Sequence, residues 1–167
     1  SDGLRAYFEN FDQPLNDLKT YLDQVKAQNP GKKIFIYGHS LGSLITLNFV
    51  LRYPSEFAGM IISGTTLGVE GGQPKLLITM GEIMNNILPK LPVAPLDAKD
   101  LSHDPVAVTA YDTDPLIHRG NVRVRMANQI VQYSRHVREH LNQFKLPVLI
   151  IHGGEDKICP TPGSARR

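Results

Sequence analysis

Residues 32–53 read KKIFIYGHSLGSLITLNFVLRY, and the pattern changes character once within them. Ile34, Phe35, Ile36 and Tyr37 form a short unbroken apolar run, which predicts a strand buried on both faces of a parallel sheet. Gly38-His39-Ser40-Leu41-Gly42 then makes a turn. From Ser43 to Tyr53 neither Gly nor Pro intervenes, and Leu44, Ile45, Leu47, Phe49 and Leu51 mark a helix that Pro54 ends.

A strand, a Gly-x-Ser-x-Gly turn and a helix in immediate succession are the parts of a nucleophile elbow. A serine hydroxyl is a weak nucleophile, so it must stand clear of the backbone where a base can reach it. The sharp turn does this at the expense of backbone strain on Ser40. Bulky side chains two residues either side are expected to collide where strand and helix close up, which explains Gly38 and Gly42. The following helix turns its free amides towards the bend, making the Leu41 N–H a candidate oxyanion donor. With 14 glycines in the chain the bare five-residue pattern is weak, and its placement between strand and helix is what gives it weight.

At 167 residues and 41% hydrophobic the chain can bury a core, and its length suggests one domain. Eighteen basic against sixteen acidic residues leave a net charge of +2, which gives no reason to expect a nucleic-acid partner. The single Cys159 has no internal disulfide partner, fitting a reducing compartment such as the cytoplasm. No apolar run reaches the length of a membrane span. The chain begins with Ser rather than Met, a first sign that it starts in the middle of something.

Outward from the elbow, Ser1-Asp2-Gly3 reads as the end of a loop, and Leu15, Leu18, Leu22 and Val25 repeat at helical spacing until Asn29-Pro30-Gly31. After the elbow helix, Met60, Ile61 and Ile62 predict a second buried strand, and Val148-Leu149-Ile150-Ile151 a third. Helices alternating with short apolar strands define an α/β protein with a parallel sheet. Between the second and third strands about 80 residues, from 66 to about 145, lack strand rhythm, too long for an ordinary connection and so read as an inserted lid. Within it Leu76, Leu77, Met80, Ile83, Met84, Ile87 and Leu88 make one apolar stripe, whose default reading is packing on the core. The other reading is a surface for lipid or a wall of an acyl channel, with contact to a membrane surface. Pro89, Pro92 and Pro95 predict an extended piece, and Met126, Ile130, Tyr133, Val137, Leu141 and Phe144 a further helix. That segment carries arginines, Arg119 among them, that suit a solvated face or an anionic membrane surface.

Ser40 needs a base, and the base an acid to orient it. Asp156, in the turn after the third strand, stands where that acid belongs in the order Ser, Asp, His, with Glu155 as the fallback. A plain polar turn is the competing reading. No histidine follows Asp156. His39, His103, His118, His136, His140 and His152 each admit a structural reading, and the His136/His140 spacing has no evident third ligand for a metal. The catalytic histidine is therefore expected beyond residue 167, and the chain is expected to be truncated at both ends.

The motifs GHSLGS at 38–43, GMIISGT at 59–65, YDTDPLIHRG at 111–120 and PVLIIHGGEDKIC at 147–159 resemble the monoacylglycerol lipases, of the serine aminopeptidase-like or lysophospholipase-like branch of the α/β-hydrolases. The resemblance implies a partial α/β-hydrolase fold with three neighbouring parallel strands and a helical cap. It also implies cofactor-free ester hydrolysis of a monoacylglycerol, with Ser40 as nucleophile, Leu41 as backbone oxyanion donor and Asp156 as acid. A carboxylesterase, a lysophospholipase, a proline-type aminopeptidase or a non-catalytic hydrolase-like binding module are the alternatives on the same scaffold. With the other strands removed, the outer edges of the Ile34 and Val148 strands are expected to be bare and the isolated segment poorly soluble.

Overall fold

A computed structural model describes residues 3–68, 75–94, 98–118, 120–159 and 161. The expectations placed on Ser1, Asp2, Pro95 and Arg119 lie outside these residues.

The chain opens with α1 (Asp12–Gln28), a helix of 17 residues whose start is fixed by the Asn10 side chain accepting the Asp12 N–H at 2.7 Å. Leu15 and Leu22 on one face are buried, as their spacing predicts. At its far end the Asn29 amide donates to the Val25 carbonyl at 3.0 Å, and Gly31 at φ +72° takes the left-handed turn into the sheet. Strand β1 (Phe35–His39), helix α2 (Leu41–Arg52) and strand β2 (Gly59–Ser63) follow. Ion pairs from Arg52 to Asp12 and from Lys26 to Glu56 tie α1 to the end of α2 and to the turn behind it.

Strand β5 (Val148–Ile151) completes a parallel sheet of order β1-β2-β5. As expected, β1 and β5 are its outer strands. The register sets His39, Ser63 and Ile151 side by side, so the three strands end on one line at their carboxyl edge. Ile36, Met60 and Ile62 face a core shared with Leu15, Leu22, Leu44, Leu47, Phe49, Val50 and Val137.

Burial on both faces is not what this sheet shows. Side chains alternate along a strand, and the face opposite the core carries Phe35 at 63% exposure, Tyr37 at 61% and Leu149 at 54%. The reason is that the packed core lies against one side only, so an unbroken apolar run meets two different environments. All four residues of β5 are exposed as well.

Between β2 and β5 lie α3 (Lys75–Ile87), β3 (Pro92–Ala94), α4 (Pro105–Thr113), β4 (Val122–Arg123) and α5 (Val124–Glu139). The short antiparallel pair β3–β4 was not foreseen beyond the proline-rich extended piece. Helix α4 has a clear cap: Asp104 accepts the Val106 N–H at 2.9 Å and Pro105 occupies the first turn. Helix α5 packs on α2, burying Met126 and Val137 and stacking Tyr133 on Phe11 at 4.1 Å.

Helix α3 also meets α5, yet most of its apolar stripe stays uncovered. Six of the stripe's seven residues, Leu76, Leu77, Met80, Ile83, Ile87 and Leu88, are exposed and Met84 is partly covered, as are Glu82 and Asn85 on the other side, where Asn86 is exposed. The expectation that the stripe packs on the core is therefore overturned. Periodicity locates an apolar face without saying what it faces.

Candidate active site

The chain leaves β1 at His39 and enters α2 at Leu41, so a single residue makes the bend. That residue, Ser40, has φ 51° and ψ −120°, a left-handed conformation that non-glycine residues rarely adopt. Three hydrogen bonds hold it. The Ser40 N–H donates to the Ser63 carbonyl at 2.9 Å, and the Ser40 carbonyl accepts the Ser43 N–H at 3.0 Å and the Ser43 hydroxyl at 2.6 Å. Ser43 is fully buried, and its anchoring of the bend was missed because its hydroxyl looks like any other helix-start serine. Leu41 opens α2, so its N–H lies in the first turn, where an amide has no intrahelical acceptor, and is available to an anion at the bend.

The two elbow glycines are not equivalent. A Cβ on Gly38 would lie 2.3 Å from the Gly42 carbonyl oxygen and 2.5 Å from Thr46 Oγ1, a collision with backbone that no rotamer relieves. A Cβ on Gly42 meets nothing within 4 Å among the described residues. The expected steric need for Gly42 is thus corrected. Strand and helix close on the Gly42 carbonyl, and its missing side chain plays no part in that contact.

Asp156 lies in the turn that follows β5 at the same edge of the sheet. Its Oδ1 accepts the N–H groups of Ile158 at 3.0 Å and Cys159 at 2.7 Å. Its Oδ2 lies 3.4 Å from His152 Nε2. With β2 between β1 and β5, Ser40 and Asp156 belong to strand ends about 10 Å apart. Cys159 stands between them: its amide is held by Asp156 at 2.7 Å, and both Ser40 and Asp156 are near enough to bear on the titration of its buried thiol. Burial, and next the neighbouring Asp156 charge, push the Cys159 thiol above its ordinary value, and Ser40 offsets this in part. Gly64, at φ +51°, ends β2 between the two groups, and a Cβ there would come 3.2 Å from His39 Cε1 and 3.5 Å from Asp156 Oδ2.

The histidines have other engagements. His39 Nδ1 shares a hydrogen bond with Ser63 Oγ at 3.2 Å, turned away from Ser40 as its strand position predicts. His140 Nδ1–H donates to the His136 carbonyl at 2.7 Å, and His103 lies 3.5 Å from Glu155. Glu155 is highly exposed and makes that contact across to the inserted stretch, whereas Asp156 is the carboxylate held by the strand-end turn. Among the described residues no cluster of three or more His, Cys, Asp or Glu could hold a metal ion. No described helix is long and apolar enough to cross a membrane.

A parallel sheet whose first described strand runs through a left-handed serine into a helix, with an acidic turn at the same edge, defines a protein of the α/β-hydrolase fold. The chain belongs to the serine aminopeptidase, S33, family, whose model matches residues 1–167. It is 27% identical, over 98% of its length, to the monoacylglycerol lipase of Mycolicibacterium smegmatis, covering 59% of that protein. With the human monoglyceride lipase the identity is 28%, over 98% of this chain and 54% of the relative. The crystal structure of Paleococcus ferrophilus monoacylglycerol lipase superposes with a TM-score of 0.79 at 26% identity, over 92% of this chain and 58% of that one. The chain therefore spans little more than half the length of the relatives it matches.

Proposed function

We propose that the complete protein is a serine ester hydrolase that cleaves a monoacylglycerol, or a similar lipid monoester, into fatty acid and glycerol. The observation that carries this reading is the backbone of Ser40. A left-handed serine costs about 1–3 kcal/mol, and such strain is kept where it serves a site. The narrower substrate rests on the similarity to proteins named monoacylglycerol and monoglyceride lipases.

In this mechanism Ser40 Oγ attacks the ester carbonyl carbon while its proton passes to an imidazole contributed by polypeptide outside this stretch. Asp156 orients that imidazole through Oδ2, its Oδ1 being held by two backbone amides. The Leu41 N–H receives the oxyanion. Collapse returns the proton to the departing glycerol oxygen and leaves the acyl group on Ser40. Water, deprotonated by the same imidazole, then attacks the acyl carbon, the bond from that carbon to Ser40 Oγ breaks, and the imidazolium returns the proton to Oγ as the fatty acid leaves. No cofactor enters any step.

Residues 66–145 would serve as the cap, with the α3 stripe turned to the membrane from which substrate arrives. The outward-facing Leu76, Leu77, Met80, Ile83 and Ile87 support this. The deciding experiment is labelling of the full-length protein by a fluorophosphonate, with Ser40→Ala as control, followed by rates on monoacylglycerol, lysophospholipid and aminoacyl substrates. Loss of labelling in Ser40→Ala and preference for the monoacylglycerol are expected. Labelling that survives the substitution refutes the nucleophile, and a preference for another class refutes the substrate.

A further inference from the structure

We infer that His152 is a positioning residue for the acid: its Nε2–H clasps the turn that carries Asp156 and fixes the direction of the carboxylate. The inference rests on the reading of Asp156 as the triad acid and extends it to a residue that does not touch substrate.

His152 follows the last residue of β5, and its side chain is 6% exposed against 24% for Asp156. Its Nε2 lies 2.6 Å from the Cys159 carbonyl oxygen and 3.4 Å from Asp156 Oδ2. Both partners can only accept, so Nε2 carries the hydrogen: it donates chiefly to the carbonyl, and the carboxylate oxygen is the weaker second acceptor. One ring thus closes the turn from the strand end to Cys159. The same turn is braced from inside by Asp156 Oδ1, which accepts the amides of Ile158 and Cys159. Each contact constrains a different part of the carboxylate. The backbone donors hold Oδ1, and His152 sets how the plane is rotated and hence where Oδ2 points. An acid that orients an imidazole works only if that oxygen is in place, and a shift of about 1 Å costs on the order of 100-fold in rate.

A second consequence runs through Cys159. Its carbonyl is held by His152 and its amide by Asp156, and Ser40 lies near enough to its thiol to bear on its titration, so a slack turn would loosen the acid and the surroundings of the nucleophile together.

The test compares the full-length protein with His152→Phe, which keeps the ring's bulk and loses the donor, and His152→Gln, whose amide N–H restores a donor at similar reach. Hydrolysis of a soluble short-chain p-nitrophenyl ester is followed. His152→Phe is expected to lower kcat by about 10–100-fold with KM within about threefold, and His152→Gln to recover most of that loss. The decisive readout is a double-mutant cycle: in an Asp156→Asn background His152→Phe is expected to have almost no further effect, because the group it positions has already lost its function. Should His152→Phe fail to fold, His152→Asn, whose amide falls short of the Cys159 carbonyl, takes its place in the cycle. Equal losses in both backgrounds, or a kcat for His152→Phe within twofold of the parent, overturn the inference while leaving the hydrolase reading intact. A parent protein with neither ester hydrolysis nor fluorophosphonate labelling removes the reading beneath it instead.

Discussion

Replacing each elbow glycine by alanine in the full-length protein should give effects of opposite sign. At Gly38 the new methyl carbon would sit 2.3 Å from the Gly42 carbonyl oxygen and 2.6 Å from its carbonyl carbon. Ordinary carbon–oxygen contact needs roughly 1 Å more, and since both atoms are backbone, β1 and α2 must move apart to provide it. Overpacking of this kind costs about 1–3 kcal/mol, and the absence of a side chain that could give way puts Gly38→Ala at the upper end. About 3 kcal/mol shifts the folding equilibrium on the order of 100-fold, and the same movement displaces the Ser40 hydroxyl, with a rate loss of similar size. At Gly42 the added methyl meets none of the described residues within 4 Å, and it falls at the second position of α2, where alanine is the better helix former by about 0.5–1 kcal/mol. Urea denaturation at constant pH gives both stabilities, and the rate of fluorophosphonate labelling reports the hydroxyl. The reasoning fails if Gly38→Ala lies within about 0.5 kcal/mol of the parent, or if Gly42→Ala loses as much as Gly38→Ala.

Ser40→Gly should abolish labelling yet raise stability by about 1 kcal/mol, since glycine takes φ 51° without strain and returns only part of that gain as unfolded-chain entropy; a less stable variant would mean that Ser40 is not strained. Replacing Met80 and Ile83 together by Glu should cut co-sedimentation with phosphatidylcholine vesicles by about tenfold or more, from the half-exposed area each would bury. The melting temperature should barely move, because neither side chain is in the core; unchanged vesicle binding would count against α3 as the membrane face. Cys159 holds its proton more tightly folded than unfolded, so its contribution to stability is complete below the unfolded thiol value of about 8.5 and is lost as pH rises through the folded one. A melting-temperature profile from pH 7 to 10 should fall less steeply in Cys159→Ala than in the parent, and identical slopes would exclude that linkage.

Local order in the sequence was enough to determine the elbow. An apolar run, a Gly-x-Ser-x-Gly turn and an uninterrupted helix dictate β1, the bend at Ser40 and α2, because strand, turn and helix propensities act within a few residues. The same locality made α1, β2, β5 and the alternation of helix and strand that defines the α/β class legible, and it put Asp156 at a strand end. What a side chain faces is another matter, since that is set by neighbours distant along the chain. Only the tertiary structure decided that Phe35 and Tyr37 look outward while Ile36 packs, that most of the α3 stripe stays exposed, and that a Cβ on Gly38 collides where one on Gly42 meets no described residue. It alone set Cys159 between Ser40 and Asp156 and folded His152 back onto the acid turn, because those contacts join strand ends that lie side by side in the sheet and far apart in the chain.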